Sequence, residues 1–537
     1  MFRSKEQANF AAIVAAHINK ADGPLLLEGG TGIGKTRAYL SALIASGKRV
    51  AIALPTHQLI DQLLASTDMA EANKANVTVA AFRPARTFAT RAEYLAQRDV
   101  VTSAQVMLCT SASVIIDQRL KGEYNGATER DYLLFDEADQ LPNAAALQSD
   151  MEITGGELKE LGIEGDNPRE LAEGVVACKE AEPEQRAAAK MILEALDEPA
   201  WFHAAGNHGG DGGIKLFHRL PGRLLRKTAN KPNVAFVSAT ITIGGKFDDF
   251  KRALGIQQES ELSGIIEPER HGTVNFRTVS HLDVDGEGWL EMVAATVREA
   301  ESPVLVVTPS FDRATRIGAL VEGAVVRQKG ELIGAAMERL GHIKILIAAA
   351  AWAGLDAPVP WRSIIVPVVP YERPTVIDDH VESRYIDARN TAVRRLRQVI
   401  GRGLRSPDAC CSVYFLDPRV QRLPAFWPTR FATEWQRRLT DSGVMEGARG
   451  EVVLSKAERD PSNRKNALKH YGTHCQACGL APKVAAIIEV HHLHPVSEGV
   501  RRTQIEDLCP LCRNCHGLAH TTVPPMPIEQ LRQFVTA

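Results

Sequence analysis

The feature that most constrains the fold is a glycine-rich loop near the N-terminus. Gly29–Thr36 reads GGTGIGKT and fits G-x-x-x-x-G-K-[ST], between the apolar run Leu25–Leu27 and a helical segment. Glycines allow backbone N–H groups to wrap around phosphates, and the following helix N-terminus adds partial positive charge. We therefore predict an ATP site in a parallel α/β sheet, with Lys35 on the β- and γ-phosphates and Thr36 on Mg²⁺. The nucleotide-contacting residues predicted in this loop are Gly29, Gly30, Thr31, Gly32, Gly34, Lys35 and Thr36.

A second motif, YLLFDEADQ, places Asp136 and Glu137 directly after another apolar run. Paired carboxylates after a strand also occur as simple helix caps, but the phosphate loop makes ATP hydrolysis the better interpretation. Asp136 would bind Mg²⁺ through water. Glu137 would act as the general base that activates the attacking water.

The rest of the chain reads as two α/β halves followed by a cysteine-rich module. Residues 1–143 and 226–245 are predicted to form the first α/β domain and residues 246–440 the second. Residues 144–225, rich in Ala and Glu, are predicted to form an inserted helical subdomain, and 441–455 a linker before a module at 456–537. The strands predicted from β-like apolar runs are Leu25–Glu28, Val50–Leu54, Val106–Thr110, Tyr132–Phe135, Val234–Ser238, Val304–Thr308, Ile343–Ala348, Ile364–Val368 and Ser412–Phe415.

Several short motifs resemble superfamily 2 helicases of the DinG/XPD branch. Asp136–Asp139 spells DEAD, Ser238–Thr240 spells SAT, and Gln398–Arg405 reads QVIGRGLR, which fits Q-x-x-G-R-x-x-R. The resemblance implies two RecA-like P-loop domains with an arch-like insertion. It also implies that Gln398 belongs to the nucleotide site, that Arg402 and Arg405 reach the γ-phosphate from the second domain, and that Gln7 reads adenine. Pro55–His57 resembles the motif of this branch that contacts nucleic acid, and Trp352–Asp356 resembles its W-x-G-x-D signature.

One departure concerns the cysteines that hold an iron–sulfur cluster in DinG and XPD proteins. Only Cys109 lies between the phosphate loop and the acidic motif, and one thiolate cannot ligate such a cluster, so we expect no iron–sulfur cluster. The pattern resembles the shortened DinG-like helicases of type IV CRISPR systems, some of which carry a C-terminal HNH module. That resemblance implies 5′ to 3′ movement on DNA and action with an RNA-guided multisubunit complex.

Five of the nine cysteines fall near the C-terminus. Cys475 and Cys478 form one C-x-x-C pair, and Cys512 and Cys515 form another, a spacing that predicts one tetrahedral Zn²⁺. Cys509, which also forms a C-x-x-C pair with Cys512, is an alternative ligand. We prefer the outer pairs because His516 follows Cys515 directly.

The histidines of this module resemble those of zinc-containing HNH (ββα-metal) endonucleases. IEVHHLHP supplies His491 and His492, and LCRNCHGLAH supplies His516 and His520 on one helix face. His491, His516 and His520 would bind a divalent ion such as Mg²⁺ or Mn²⁺, and His492 would be the general base. Glu489 would orient a ligand, and Asp507, where the family name has Asn, would orient His492.

These interpretations predict an ATP-dependent DNA helicase joined to an HNH endonuclease that acts on single-stranded and duplex DNA in CRISPR-type defence. Two alternatives remain: a repair or recombination helicase–nuclease, and an ATP-driven remodeller whose zinc module binds DNA without cutting. A net charge of −2 excludes a globally basic surface. No apolar run approaches the roughly 18 residues of a membrane span, and no signal peptide is recognised, so we expect a cytoplasmic protein without a membrane partner.

Overall fold

The computed structural model describes most of the chain, which divides into two compact units, Met1–Val444 and Met445–Ala537. Each unit is described on its own. The residues described are 2–69, 77–203, 212–269, 272–278, 283–286, 288–341, 344–352, 361–371, 384–404, 408–423, 461–482, 487–493, 503–522 and 525–536.

The strands and helices are numbered in chain order. The strands are β1 (Leu25–Gly29), β2 (Val50–Leu54), β3 (Val79–Ala81), β4 (Val106–Thr110), β5 (Tyr132–Asp136), β6 (Met151–Ile153), β7 (Trp201–His203), β8 (Ile214–His218), β9 (Val234–Ser238), β10 (Gly264–Ile266), β11 (Thr273–Thr278), β12 (Val304–Thr308), β13 (Val325–Val326), β14 (Ile345–Ala349), β15 (Ser363–Val366), β16 (Cys410–Phe415), β17 (Ile488–His492) and β18 (Leu508–Cys512). The helices are α1 (Lys5–Asn19), α2 (Lys35–Ala45), α3 (His57–Leu64), α4 (Arg91–Ser103), α5 (Ser111–Arg119), α6 (Leu141–Leu147), α7 (Gly155–Glu160), α8 (Pro168–Ala177), α9 (Pro183–Leu196), α10 (Arg226–Ala229), α11 (Asp248–Leu254), α12 (Trp289–Glu299), α13 (Phe311–Gly318), α14 (Ile333–Leu340), α15 (Arg384–Arg402), α16 (Pro461–Tyr471), α17 (Arg513–Ala519) and α18 (Ile528–Thr536).

The first sheet has seven parallel strands in the order β10-β1-β9-β5-β2-β4-β3. Strands β1, β2, β4, β5 and β9 are buried along their whole length, as expected for parallel strands covered by helices on both faces. Because parallel strands end at the same edge, the residues that follow β1, β5 and β9 meet there. The ATP-binding motifs predicted from the sequence lie at that edge.

The second sheet has six parallel strands in the order β11-β16-β15-β12-β14-β13. Every strand predicted from the sequence for the two sheets is present, with ends that differ by two residues at most. Helix α15 packs on the second sheet through Ala392, Val393, Leu396 and Val399. Its other side faces the first sheet.

The predicted boundary at residue 245 differs from the sheet topology. Helix α11 buries Phe250 and Leu254 in the core of the first sheet, and β10 pairs in parallel with β1. The second sheet begins only at Thr273. The first α/β domain therefore extends to Ile266, because these apolar residues pack on it.

The sequence predicted a helical insertion, but the insertion also contains a small sheet. Strands β6, β8 and β7 form a three-stranded antiparallel sheet, whose inner face packs against α7, α8 and α9 around Ile153, Ala172, Ile192 and Leu216. The alternating burial of Ile214–His218 is typical of a strand with one covered face. The predicted boundary at residue 144 falls inside helix α6, and Leu141 and Ala145 of this helix are both buried in the core of the first domain.

The C-terminal unit is a small ββα module. Strands β17 and β18 pair antiparallel, and α16, α17 and α18 pack around a core that includes Ile488, Leu511 and Leu531. The predicted linker, 441–455, lies outside the described residues. No helix in the described part of the chain is long and apolar enough to span a membrane.

Candidate functional site

The phosphate loop follows β1 and leads into α2. Gly32 and Gly34 have φ values of 90° and 77°, a left-handed conformation that glycine adopts without strain. The Lys35 ammonium group donates to the Gly29 carbonyl at 3.3 Å, so the side chain folds back over the loop. The loop leads into the N-terminus of α2 at Lys35, which is the local arrangement that phosphate binding uses.

Gln7 contacts the phosphate loop. It is fully buried, its amide nitrogen donates to Gly34 O at 2.9 Å, and its amide oxygen accepts from Arg3 N at 2.7 Å. A Cβ atom at Gly34 would lie 2.3 Å from the Gln7 amide nitrogen. Gln7 therefore supports the loop, and its predicted contact with adenine stays a prediction.

Asp136 and Glu137 lie at the carboxyl end of β5. Tyr39 donates a hydrogen bond to Asp136 Oδ2 at 2.8 Å. Burial, followed by the charge of Glu137, raises the pKa of Asp136 to about 6. A buried carboxylate of this kind gains charged character from a cation, so Asp136 suits Mg²⁺. Tyr39 was not anticipated from the sequence, where it reads as an ordinary helix residue.

The acidic motif is connected to the second sheet by hydrogen bonds. The Ser238 hydroxyl bonds to Asp139 and donates to Glu137 Oε2 at 3.2 Å. Gln398, from α15, donates to Asp139 Oδ2 at 2.7 Å. Side chains from three of the sequence motifs thus form one network beside the hydrolytic carboxylates.

A buried ion pair also joins the two sheets. Arg397 donates to Glu28 Oε1 at 2.6 Å and to Thr242 O at 2.6 Å, and Thr242 N donates to Glu28 Oε2 at 2.6 Å. Nearby, Arg394 bonds to Asp249 Oδ2 at 2.6 Å. The sequence did not single out these residues, because a run of arginines on a helix usually indicates a solvated face.

The contact of Arg402 and Arg405 with the γ-phosphate stays a prediction. Arg402 ends α15, and a Cβ atom at the preceding Gly401 would lie 2.5 Å from the Thr31 side chain of the phosphate loop. Helix α15 therefore reaches the loop at that point. Arg405 lies outside the described residues, as do 353–356 of the W-x-G-x-D motif.

A groove follows the ends of β2 and β4. It is lined by Thr56, His57, Ser113 and Tyr124, among others. Thr56 caps α3 by accepting from Leu59 N at 3.3 Å. The motif predicted to contact nucleic acid therefore lines an open groove beside the sheet.

The four predicted zinc ligands converge in the C-terminal module. The sulfurs of Cys475, Cys478, Cys512 and Cys515 lie within 4.8 Å of one another. Burial raises the pKa of Cys475, but backbone N–H groups of Cys478, Cys512 and Ala477 lower it to about 7 overall. Burial raises the pKa of Cys515, so four thiolates here require a cation, which fits Zn²⁺. Cys509 is not in this group, and burial raises its pKa to about 11.

Three imidazoles form a second group. Ring nitrogens of His491, His516 and His520 lie within 4.8 Å of one another, and His491 is buried. His516 Nδ1 lies 2.6 Å from Glu489 Oε2, a hydrogen bond that leaves Nε2 of His516 available to a metal. The donor set suits a divalent ion with open positions.

His492 and Asp507 lie near each other in the fold. His492 pairs with Leu508 across the hairpin, directly after Asp507. The Asp507 carboxylate accepts from Gln504 N at 2.8 Å, and its carbonyl accepts from Leu493 N at 2.9 Å. The orientation of His492 by Asp507 stays a prediction.

Comparison with known proteins identifies both regions. Residues 9–164 match the family model described as DEAD/DEAH box helicase, and residues 475–522 match the one described as HNH endonuclease. Among curated proteins, no sequence matches the chain.

Solved structures of XPD helicases share the fold of the larger unit. A structure described as apo XPD is 13% identical, with a TM-score of 0.55, and the match covers 81% of this chain and 98% of that one. A second XPD helicase is 12% identical with the same coverage and a TM-score of 0.56. Xpd4 of S. tokodaii is 13% identical, with a TM-score of 0.51, over 80% of this chain and 98% of that one.

At these identities the structural likeness concerns the fold, while the two family models concern the helicase and nuclease domains themselves. The chain is therefore an enzyme with a DEAD/DEAH box helicase domain in an XPD-like fold and a C-terminal HNH endonuclease domain, and DNA is its partner.

Proposed function

We propose that this protein is an ATP-driven helicase that moves 5′ to 3′ along single-stranded DNA and delivers DNA to its own nuclease. The observation that carries the proposal is the 2.7 Å hydrogen bond between Gln398 and Asp139. This hydrogen bond joins α15, which packs on the second sheet, to the carboxylates that follow β5 of the first sheet. This contact links the hydrolytic carboxylates to relative movement of the two sheets.

In the motor, the chain's own residues position the nucleotide and move a proton. Bound Mg²⁺–ATP supplies the phosphoanhydride bond and the charge that neutralises its cleavage. Lys35 and the backbone of the phosphate loop hold the phosphates, Thr36 and Asp136 hold the ion, and Glu137 takes the proton of the attacking water. Arg402 and Arg405 would supply positive charge to the γ-phosphate, as the resemblance to superfamily 2 helicases implies.

The nuclease follows a similar division of roles. His491, His516 and His520 would hold a divalent ion, which would supply positive charge to the scissile phosphate. Glu489 holds the His516 ring by its 2.6 Å contact, and His492 takes the proton of the attacking water. The four thiolates of Cys475, Cys478, Cys512 and Cys515 would hold Zn²⁺, which would join the end of β18 to α17.

We further propose a role in CRISPR-type defence against plasmids or phage, in which an RNA-guided complex recruits the protein to its target. The support is the resemblance to type IV CRISPR-associated helicases that end in an HNH module. A motor that moves the strand compensates for a nuclease with little sequence specificity of its own. The cytoplasm is the compartment that this role requires.

The test is cleavage of an end-labelled duplex with a 5′ single-stranded tail, in Mg²⁺ or Mn²⁺, with and without ATP. Wild type is compared with Lys35→Ala and His492→Ala. ATP-dependent cleavage that both variants lose supports coupling of motor and nuclease. Cleavage that needs no ATP and survives Lys35→Ala would show two independent enzymes on one chain.

A substrate with a 3′ tail tests the direction of movement. Unwinding of the 5′-tailed duplex and not of the 3′-tailed duplex is expected. Unwinding of the 3′-tailed duplex alone would contradict the proposed direction of movement, but it would not bear on the proposed nuclease activity. Unwinding without cleavage under any condition would favour a zinc module that only binds DNA.

A further inference from the structure

Helix α16 of the nuclease module has a polar face that neither metal group uses. Asn463, Asn466 and Lys469 line a cleft between this helix and the segment Thr503–Leu508. Within the described part of the chain, their side chains make no hydrogen bond or ion pair. Asn466 and Lys469 are exposed. Their amide and ammonium groups are therefore available to a ligand.

The charge of α16 is of one sign. Its sequence, PSNRKNALKHY, contains Arg464, Lys465 and Lys469 and no carboxylate. Arg464 donates to Ile488 O at 2.9 Å, which attaches the helix to strand β17. Lys465 and Lys469 are both exposed, but only Lys469 lines the cleft. A positive helix with free amides matches a polyanion that also carries hydrogen-bonding groups.

The cleft adjoins the end of the hairpin where His492 lies. His492 and Leu508 are a cross-strand pair, and the side chains of such a pair leave the same face of the sheet. Leu508 lines the cleft. His491, the metal ligand, alternates to the other face. DNA held in this cleft would therefore approach the scissile phosphate from the side of His492.

We propose that this cleft binds the DNA strand that flanks the scissile phosphate. Lys469 contacts a backbone phosphate, and Asn463 and Asn466 bond to the adjoining sugar–phosphate or base edge. The inference rests on the proposed nuclease function, and adds to it a substrate-positioning site outside the HNH motif. Phosphate contacts of this kind set the position of the strand relative to the reacting atoms.

The test compares two lysines of one helix. Lys469→Gln and Lys465→Gln remove the same charge from the same helix, but only Lys469 lines the cleft. The zinc-loaded full chain is given a fluorescent duplex with a 5′ single-stranded tail, together with ATP and Mg²⁺ or Mn²⁺. Cleavage kinetics and anisotropy are measured across a salt series. Lys469→Gln is expected to raise KM and Kd about fivefold, leave kcat unchanged and reduce the salt slope of binding by about 1. Lys465→Gln should change none of these by more than about twofold.

Asn463→Ala combined with Asn466→Ala gives a second variant, which should raise KM with no change in salt slope. Equal effects of the two lysine variants would overturn the inference, as would a loss of kcat at constant KM. If wild type does not cleave DNA but Lys469→Gln still weakens DNA binding more than Lys465→Gln does, the proposed nuclease function is contradicted. The proposal that the cleft binds DNA is then still supported. Zinc content and melting temperature verify that each variant is folded.

Discussion

The motor and the nuclease module hold their reactive side chains together in different ways. In the motor, residues far apart in sequence meet through buried contacts, such as Arg397 with Glu28 at 2.6 Å. In the module, the three imidazoles come from one hairpin and the helix that follows it. There, Cys475, Cys512 and Cys515 are themselves part of the small core. The motor site thus depends on large apolar cores, whereas the nuclease site depends on a group of thiols.

Loss of a zinc ligand should separate the two regions most completely. Cys512→Ser is expected to abolish cleavage, because a small module held by Zn²⁺ loses its fold without it. ATP hydrolysis should persist, since the cores of the motor contain none of these thiols. Zinc content, ATPase rate and cleavage are measured on the same preparation.

Cys509→Ser is the matched control, since Cys509 lies in the same strand but outside the four-thiol group. It should keep both zinc and cleavage. Loss of ATPase activity in Cys512→Ser would contradict the independence of the two regions.

Removal of the predicted general base should affect only the nuclease. His492→Ala is expected to slow cleavage by about 10² to 10⁴-fold, the usual contribution of general base catalysis. Zinc content, DNA affinity and ATPase rate should be unchanged. His474→Ala, an exposed histidine of the same module, is the control and should cleave normally. Equal rates for wild type and His492→Ala would assign the base elsewhere.

Disruption of the contact between the two sheets should affect only the motor. Arg397→Met leaves Glu28 buried without its partner and is expected to lower the free energy of unfolding by about 3–5 kcal/mol. Arg169→Met, in an exposed pair with Asp197, should cost at most about 1 kcal/mol. Denaturant unfolding measures both, with zinc content as the reference for an intact module. Similar decreases in the free energy of unfolding for the two variants would mean that the buried Arg397 pair stabilises the motor no more than an exposed pair does.

The smallest expected effect is a pH dependence of motor stability. His17 is buried, its Nδ1 lies 2.7 Å from the Tyr132 hydroxyl and its Nε2 2.7 Å from Gly23 O, and burial lowers its pKa. The unfolded chain therefore binds this proton more readily, so stability is full above about pH 6.5 and falls as pH drops below it. The contribution is at most about 1.4 kcal/mol per pH unit. His17→Gln should weaken this pH dependence. The measurement is the melting temperature of the motor between about pH 7.5 and 5.5, on either side of the usual histidine pKa. If the melting temperature of His17→Gln changed with pH as much as that of wild type, this prediction would be contradicted.

The sequence was most informative where a motif is short and contiguous. The phosphate loop, the acidic motif and the two C-x-x-C pairs each follow or flank a recognisable strand, so their local geometry could be anticipated. It was least informative about the insertion, where three short strands lie in a region predicted to be helical. Short strands contain too few residues for alternation to stand out from a helical pattern.

Residues that join distant parts of the chain were also missed. Glu28 and Tyr39 read as ordinary members of a strand and a helix, and Arg394 and Arg397 read as a solvated basic face. Their partners are supplied by segments far away in the sequence, and no local pattern records such a pairing. Burial of a charged side chain can be recognised only when the segments that pack over it are known.

By itself, the sequence determined which motifs the chain carries: a phosphate loop with its acidic partner, a Q-x-x-G-R-x-x-R motif, and two C-x-x-C pairs around an HNH motif. These depend on residue type and short spacing, which the chain alone specifies. Tertiary structure alone decided that α11 and β10 belong to the first sheet, that Arg397 reaches Glu28, and that Asn463, Asn466 and Lys469 share a cleft. Such contacts arise from packing between segments distant in sequence, and their energy exists only once the chain has folded.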